Sequence, residues 1–590
     1  MQHYELDSLS LYNAFASGGN EVIRRREEIN KINVFPVADG DTGTNLAMTM
    51  SSFISGTGPL PTAGKTMQSI ADAALTGARG NSGIIFAQFF AGLSETIKDT
   101  ETVSSEVFVE AAKNAEKRAR EAILVPVEGT ILTVMKEWVR LLEENKHLRD
   151  LGLIFKHTLK GTKQSVEDTP KLLPVLKAEH VVDAGAEGFF HFLQGATKYL
   201  VSGASELGPK EEDIPPELSA SVHGGEYPVF RYCTEVLIRG SGIELNALRQ
   251  DLAAFGDCAI VAGGSAKARI HVHTDTPAAV VKKISAYGTV QEQKVDDMLR
   301  EYEISHGRKY PIALVTDSVC DLPAKLIDQY QIHVVPLNIL VGDEQYFDGL
   351  TINNERIYEY MERKGVYPTT AQPGPAVFRK LYSYLSTYYE SIIAIHVAGK
   401  LSGTYGVSKL EADKLSGKRI TVIDSRQDSG AQALVVLRAA ELIAAGKSHD
   451  EVVAAVEGFI PKARIYVSVP TLKYMVKGGR VSPLKGAIAS LLNLKPIVSL
   501  DGQGGSLLYG KAFSTKRNLQ KIVDLVRDFI GDDPLRCYAL VHADMLEEAK
   551  EFGRRLETLT GKKPLFIQEI SPIIALHAGK GTMAVVLMKE

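Results

Sequence analysis

The sequence predicts a multidomain protein with a mostly helical first segment, an α+β middle and an α/β C-terminal segment. Three observations carry this. The chain has 590 residues, more than one hydrophobic core usually organises. Up to about residue 203, apolar residues recur at three- and four-residue spacing, as in 106–124 and 131–144. From residue 227 the texture changes to strand-like alternation (227–239, 268–274) around a helix-like stretch, 245–255. Beyond residue 311 short apolar strands alternate with helices, a pattern that predicts several parallel strands. A polar, proline-bearing stretch at 203–217 and a break near 305–311 divide the chain into 1–203, 204–305 and 306–590.

Composition narrows the function. The chain is 45% hydrophobic and 23% charged with a net charge of −4, so nothing favours nucleic acid as a partner. The first residues lack the basic and apolar parts of a signal peptide, and no run approaches a membrane span. Four scattered cysteines do not make a disulfide framework. A cytoplasmic enzyme is expected.

In the first segment, Asp39 and Asp41 stand two apart around Gly40 and are followed by Thr42, Gly43, Thr44 and Asn45. In extended backbone, residues i and i+2 point the same way, so both carboxylates converge. Two such carboxylates repel unless a cation lies between them, and hard oxygen ligands suit Mg²⁺ beside a nucleotide phosphate. An Asp-Gly turn explains Gly40 but not the second aspartate or the Thr/Asn tail. A glycine-rich loop, Gly77-Ala78-Arg79-Gly80-Asn81-Ser82-Gly83, leads into a helical run from Ile84. There backbone approach and unpaired N–H groups favour an anion. Thr130, after Glu128-Gly129, opens another helix as an ordinary N-cap. Val181-Val182-Asp183-Ala184-Gly185 opens a further one. A Walker loop is excluded, because Gly446-Lys447-Ser448 lacks its upstream glycine and lies in a helical pattern.

Taken together, residues 33–45, the GARGNSG loop, EGTI and VVDAGAEG resemble the nucleotide module of bacterial fatty acid kinase, which is similar to the all-helical barrel of dihydroxyacetone kinase L subunits. The resemblance implies ATP as cofactor, Asp39 and Asp41 as Mg²⁺ ligands, and Ser82 and Gly83 on the phosphates. Thr130, Asp183 and Gly185 would line the nucleotide pocket. Asn33, Thr42, Thr44, Asn45, Gly80 and Asn81 complete the cofactor-binding set. Val34 stands where the sugar kinases carry a third aspartate, and Asn33 is the fatty-acid-kinase-like substitute.

In the middle segment, His271 and His273 share one face of a strand, as do Arg231, Cys233 and Glu235. If the strands pair, Cys233, His271 and His273 could bind one Zn²⁺ with a position left open. Spacing alone favours a solvent-facing strand edge beside a core cysteine. The YCTE and HVHTD strings, however, resemble the fatty acid kinase middle domain, and that resemblance implies a metal site needed for activity. Cys258 is expected to pack in the core.

The last segment carries four polar loops at strand ends, where α/β sheets build ligand sites. From about 310 to 590 it resembles the DegV family through TDS, PTTAQP, LSGTY, KGGR and the histidine near the C-terminus. The resemblance implies a two-lobed α/β fold that holds a long-chain fatty acid, with Thr369 and His577 on its carboxylate and Ser402 in the LSG string. Ala398 and Gly399 replace the usual serine pair. Lys400, with Lys580, is expected to supply a charged substitute.

The implied reaction is phosphorylation of a fatty acid by ATP, giving acyl phosphate for phospholipid synthesis. A membrane-associated acyltransferase would follow, and a homodimer is the expected assembly. The alternatives are a dihydroxyacetone-type kinase and a lipid-binding protein with a degenerate kinase site.

Overall fold

The structure is a computed structural model that describes residues 3–35, 40–203, 227–363, 367–481, 495–531 and 533–590. Asp39 and the polar stretch after residue 203 lie outside the described residues. The chain forms two compact units, Met1–His306 and Gly307–Glu590.

The first unit opens with long amphipathic helices, among them Ser8–Arg24, Thr42–Gly56, Ala63–Gly77, Gly80–Ile97, Ser105–Glu121, Ile131–Asn145, Leu151–Glu167 and Ala184–Ser202. Their apolar faces meet in one core in which Phe86, Phe89, Phe90, Trp138 and Phe189 are almost wholly buried. Tilted and edge-on ring pairs lock the helices together, such as Phe89–Phe189 at 5.4 Å and Trp138–Phe155 at 5.6 Å. Serine, threonine and aspartate cap several helix starts, including Asp7, Thr62, Ser104, Asp150 and Asp183.

A four-stranded antiparallel sheet follows, in the order Asp257–Gly263, Lys267–Thr274, Tyr232–Arg239, Thr289–Asp297. It is joined to the helices by backbone bonds from Leu124 N–H to Ala259 O (3.3 Å) and Val261 N–H to Ala122 O (3.0 Å). Gly263 N–H also donates to the buried Gln88 side chain at 2.7 Å. One face of the sheet is thereby turned toward the start of the Gly80 helix.

The second unit contains a parallel sheet of Ile420–Asp424, Ser391–His396, Ile312–Asp317 and His333–Val335. A six-stranded sheet runs Ser506–Ala512, Lys495–Leu500, Ala463–Ser468, Met583–Lys589, Leu535–His542, Ile567–Glu569. It is antiparallel except for its last pair. The parallel strands expected from the sequence are therefore confined to one sheet and that last pair. The apolar run 333–340 also divides. His333–Val335 joins the parallel sheet, and Asn338–Val341 pairs with Glu344–Phe347 and Thr369–Ala371. Pro336, which cannot donate a ladder hydrogen bond, stands at the break. The buried helix Ser429–Ala444 packs in a core shared by both large sheets. Among the described residues no helix is long and apolar enough to cross a membrane.

Candidate functional site

Four helix starts converge in the first unit. The Gly80 helix begins four residues earlier than the sequence suggests, so Asn81, Ser82 and Gly83 form its first turn. Gly80 has φ +58°, and a Cβ there would overlap the Asn45 amide in the first turn of the Thr42 helix. Only glycine combines that conformation with that approach. A Cβ on Gly185 would lie 3.0 Å from Ser82 Oγ and 3.4 Å from Ile131, which brings the Ala184 and Ile131 helices to the same place. The partial positive charges of four helix N-termini therefore add at one spot.

The side chains around it are held firmly. Thr42 Oγ1 donates to Asn33 Oδ1 at 2.6 Å, with Asn33, Thr42 and Thr44 all buried. Asp41 occupies the N-cap position of its helix without making the capping hydrogen bond. Asp183 Oδ2 accepts from Ala186 N–H at 2.8 Å and Ile131 N–H at 3.0 Å, joining two helix starts through one carboxylate. Burial pushes Asp183 up to about 6 against the pull of those two donors. Thr130 Oγ1 donates to Val127 O, so its hydroxyl is spent on the local turn. Asn81 Oδ1 is buried without a hydrogen-bond partner.

Cross-strand register assembles the second cluster. Cys233 stands opposite His273, and Glu235 opposite His271. Cys233, His271 and His273 bring their ligand atoms within 4.8 Å of one another, and the two Nε2 atoms are 3.2 Å apart. Asp257 Oδ1 lies 3.3 Å from His273 Nδ1, and Glu235 Oε1 lies 3.5 Å from His271 Nδ1. A thiol, two imidazoles and a carboxylate behind each ring form a donor set suited to Zn²⁺. Burial and the nearby Glu235 charge push the Cys233 thiol well up. Cys258 is only half-buried and sits at a bulge with φ +51°, beside Asp257 and His273 rather than in the core. With those two residues it makes a second close donor group.

In the second unit, a cavity of about 600 Å³ opens between the large sheets. Its walls are mostly apolar, with Val397, Ile465, Val467, Val541 and Ile573 among them. Polar groups gather at His577, Arg480, Thr370 and Ser402. Burial, with the Arg480 charge, depresses His577 to about 3, so its imidazole is neutral. Its Nε2 is 3.4 Å from Thr370 Oγ1, and its Nδ1 is buried without a partner. Arg480 donates to Leu401 O at 3.3 Å and Gly478 O at 2.6 Å. Among the described residues it has no ion pair. Ser402 Oγ is 2.8 Å from Thr404 Oγ1, at the start of the next helix.

Two expectations are corrected here. Thr369 is exposed and outside the cavity, whereas Thr370 lines it, because adjacent strand residues face opposite ways. Lys580 pairs with Asp544 at 2.8 Å beside Tyr358, in a different pocket, so only Lys400 reaches the cavity rim. Sequence reasoning missed Arg480, Glu235 and Asp428. Arg480 belonged to the KGGR string, and Glu235 to the face already credited to Cys233. Asp428 lines the cavity, and burial raises its carboxyl to about 6.

Three family models match successive parts of the chain. The model of the DegV family, described as an uncharacterised protein family, matches residues 311–590. A DAK2 domain matches 36–198, and the FakA-like middle domain of fatty acid kinases matches 229–305. A DegV domain-containing protein of Caldanaerobacter subterraneus is 34% identical over 269 residues, 45% of this chain and 95% of its own length. Protein YloV of Bacillus subtilis is 31% identical over 316 residues, 50% of this chain; the match spans only 56% of YloV. A fatty acid-binding DegV family protein of Thermus thermophilus is 30% identical, covering 48% of this chain and all of that one, with a TM-score of 0.44.

Proposed function

Since this chain belongs to the DegV family through its C-terminal unit, behind a DAK2 domain and a fatty acid kinase-like middle domain, we propose that it phosphorylates a fatty acid held in the second unit. The observation that carries the reading is the 600 Å³ apolar cavity with Arg480, neutral His577 and Thr370 at one polar region. Those walls suit a hydrocarbon tail, gaining about 0.8 kcal/mol per buried methylene, and the polar cluster suits one carboxylate.

ATP is the proposed donor, bound where the four helix starts meet. A carboxylate oxygen attacks the γ-phosphorus, the bond to the β–γ bridging oxygen breaks, and ADP leaves with that electron pair. The acceptor is already ionised at neutral pH, so no general base is required. Asp41, with Asp39, would hold Mg²⁺, which neutralises phosphate charge when bound. Cys233, His271 and His273 would hold Zn²⁺. Chain association and delivery to a membrane acyltransferase belong to the same proposal.

The test is direct. Purified full-length chain, ATP, Mg²⁺ and oleate should release ADP and yield an acyl hydroxamate when hydroxylamine is present. ADP release with dihydroxyacetone but not oleate would overturn the assignment. So would stoichiometrically bound oleate without turnover.

A further inference from the structure

The Glu235 carboxylate lies between the two clusters of the first unit and touches both. It is 2% exposed. Its Oε1 accepts the Gly80 N–H at 2.8 Å, from a residue 155 positions earlier in the chain. The same oxygen is 3.5 Å from His271 Nδ1, inside the Cys233–His271–His273 group. Its Oε2 has no hydrogen bond and is 3.6 Å from the Arg269 guanidinium. A buried carboxylate is thus fixed on the first N–H of the Gly80 helix, at the place where a phosphate would gather.

That position sets two charges against each other. With the triad empty, the Glu235 charge, offset only in part by Arg269, which it shares with Glu292, is felt at the Gly80 loop, where an incoming phosphate meets like charge. A divalent cation held by Cys233, His271 and His273 would offset that charge. The effect is reciprocal: whatever factor the metal adds to nucleotide affinity, the nucleotide must add to metal affinity.

We propose that Glu235 is a positioning residue that couples the Cys233–His271–His273 metal site to the Gly80 phosphate loop, so that metal and nucleotide bind with positive cooperativity. The coupling rests on the nucleotide reading given above. Glu235→Gln keeps an oxygen for the Gly80 N–H, removes the charge and turns the acceptor beside Arg269 into an amide donor.

The experiment uses the full chain and a fluorescent N-methylanthraniloyl ADP, titrated with Mg²⁺ present throughout. One arm carries one equivalent of Zn²⁺ and the other a zinc-selective chelator, with bound zinc read by elemental analysis. Wild-type affinity for the probe should fall about fivefold or more on zinc removal, the lower end of ordinary site-to-site coupling. Zinc affinity should fall by the same factor when the probe is omitted. In E235Q, probe affinity without zinc should match that of the zinc-loaded wild type and stay unchanged when zinc is added. Wild-type protein that binds both ligands with no mutual effect would overturn the coupling alone. So would an E235Q chain with the wild-type zinc dependence. Wild-type protein that binds no probe in either arm would overturn the nucleotide reading and the coupling with it. The reciprocal wild-type measurement decides the matter even if the variant folds poorly.

Discussion

Arg480→Met tests the polar region of the cavity most sharply. Among the described residues Arg480 donates to two neutral carbonyls, Leu401 O and Gly478 O, and burial works against its charge. A fatty acid carboxylate would give it the missing counter-charge. A hydrogen bond to a charged group contributes about 1.5–3 kcal/mol, so losing it should weaken oleate binding roughly 10- to 150-fold. Methionine keeps most of the side-chain volume, and Arg480 is half-buried with no ion pair among the described residues, so the fold loses only its two bonds to carbonyls. The assay is calorimetric titration of delipidated full-length protein with oleate and with methyl oleate. Methyl oleate has no carboxylate charge, so its affinity should be nearly equal in the two proteins. Lys400→Met is the control. Lys400 is exposed on the rim, where a charge pair contributes at most about 1 kcal/mol. If R480M binds oleate as tightly as wild type, or if K400M is the more damaging change, the carboxylate does not sit at Arg480.

Three further outcomes follow from the geometry. Asp41→Asn should lower ADP release with oleate by about 100-fold or more, the usual scale for one lost electrostatic contact to the transferring group, while oleate binding is unchanged. Gly80→Ala forces a Cβ onto the Asn45 amide at φ +58°, a conformation costing about 1–2 kcal/mol before the clash. ADP affinity should drop accordingly, as read by titration. Asp348 gives a pH signature: burial raises it to about 7 against the pull of the Ser318 hydroxyl and the Ile573 N–H, which donates to Oδ1 at 2.8 Å. Folded protein then holds a proton that the unfolded chain releases near 3.8. Its stabilisation is complete below that value and is lost as pH climbs to about 7, at no more than about 1.4 kcal/mol per pH unit. Asp348→Asn should therefore raise the urea midpoint at pH 8 relative to pH 5, and an unchanged difference would refute the assignment.

Much of this was legible in the residues because period and register are local rules. His271 and His273, two apart in a strand, had to share a face, and Cys233 could join them only if the strands paired. The stretch 181–185 marks a helix start, and the structure begins the helix at Ala184 with Asp183 as its cap. What local rules do not give is partnership across the chain. Glu235 shared the face of Cys233 in the sequence, yet nothing nearby says that Gly80 donates to it. Arg480 stood in KGGR, a string that carried only the family resemblance, and its role appears only once His577, 97 residues later (577 − 480), packs against Gly478. The choice of Thr369 over Thr370 shows the cost of one residue in an alternating strand. Lys580 failed for another reason: a long flexible cation takes the best counter-charge within reach, here Asp544.

The convergence of helix starts in the first unit has an electrostatic corollary. Asp41 stands at the first, Glu235 caps the second, and Asp183 serves the remaining two, so the basin is already furnished with negative charge before any guest arrives. A bare polyphosphate would find its welcome cancelled. Under the proposed nucleotide reading, a polyphosphate carrying divalent ions would be favoured there over the naked anion.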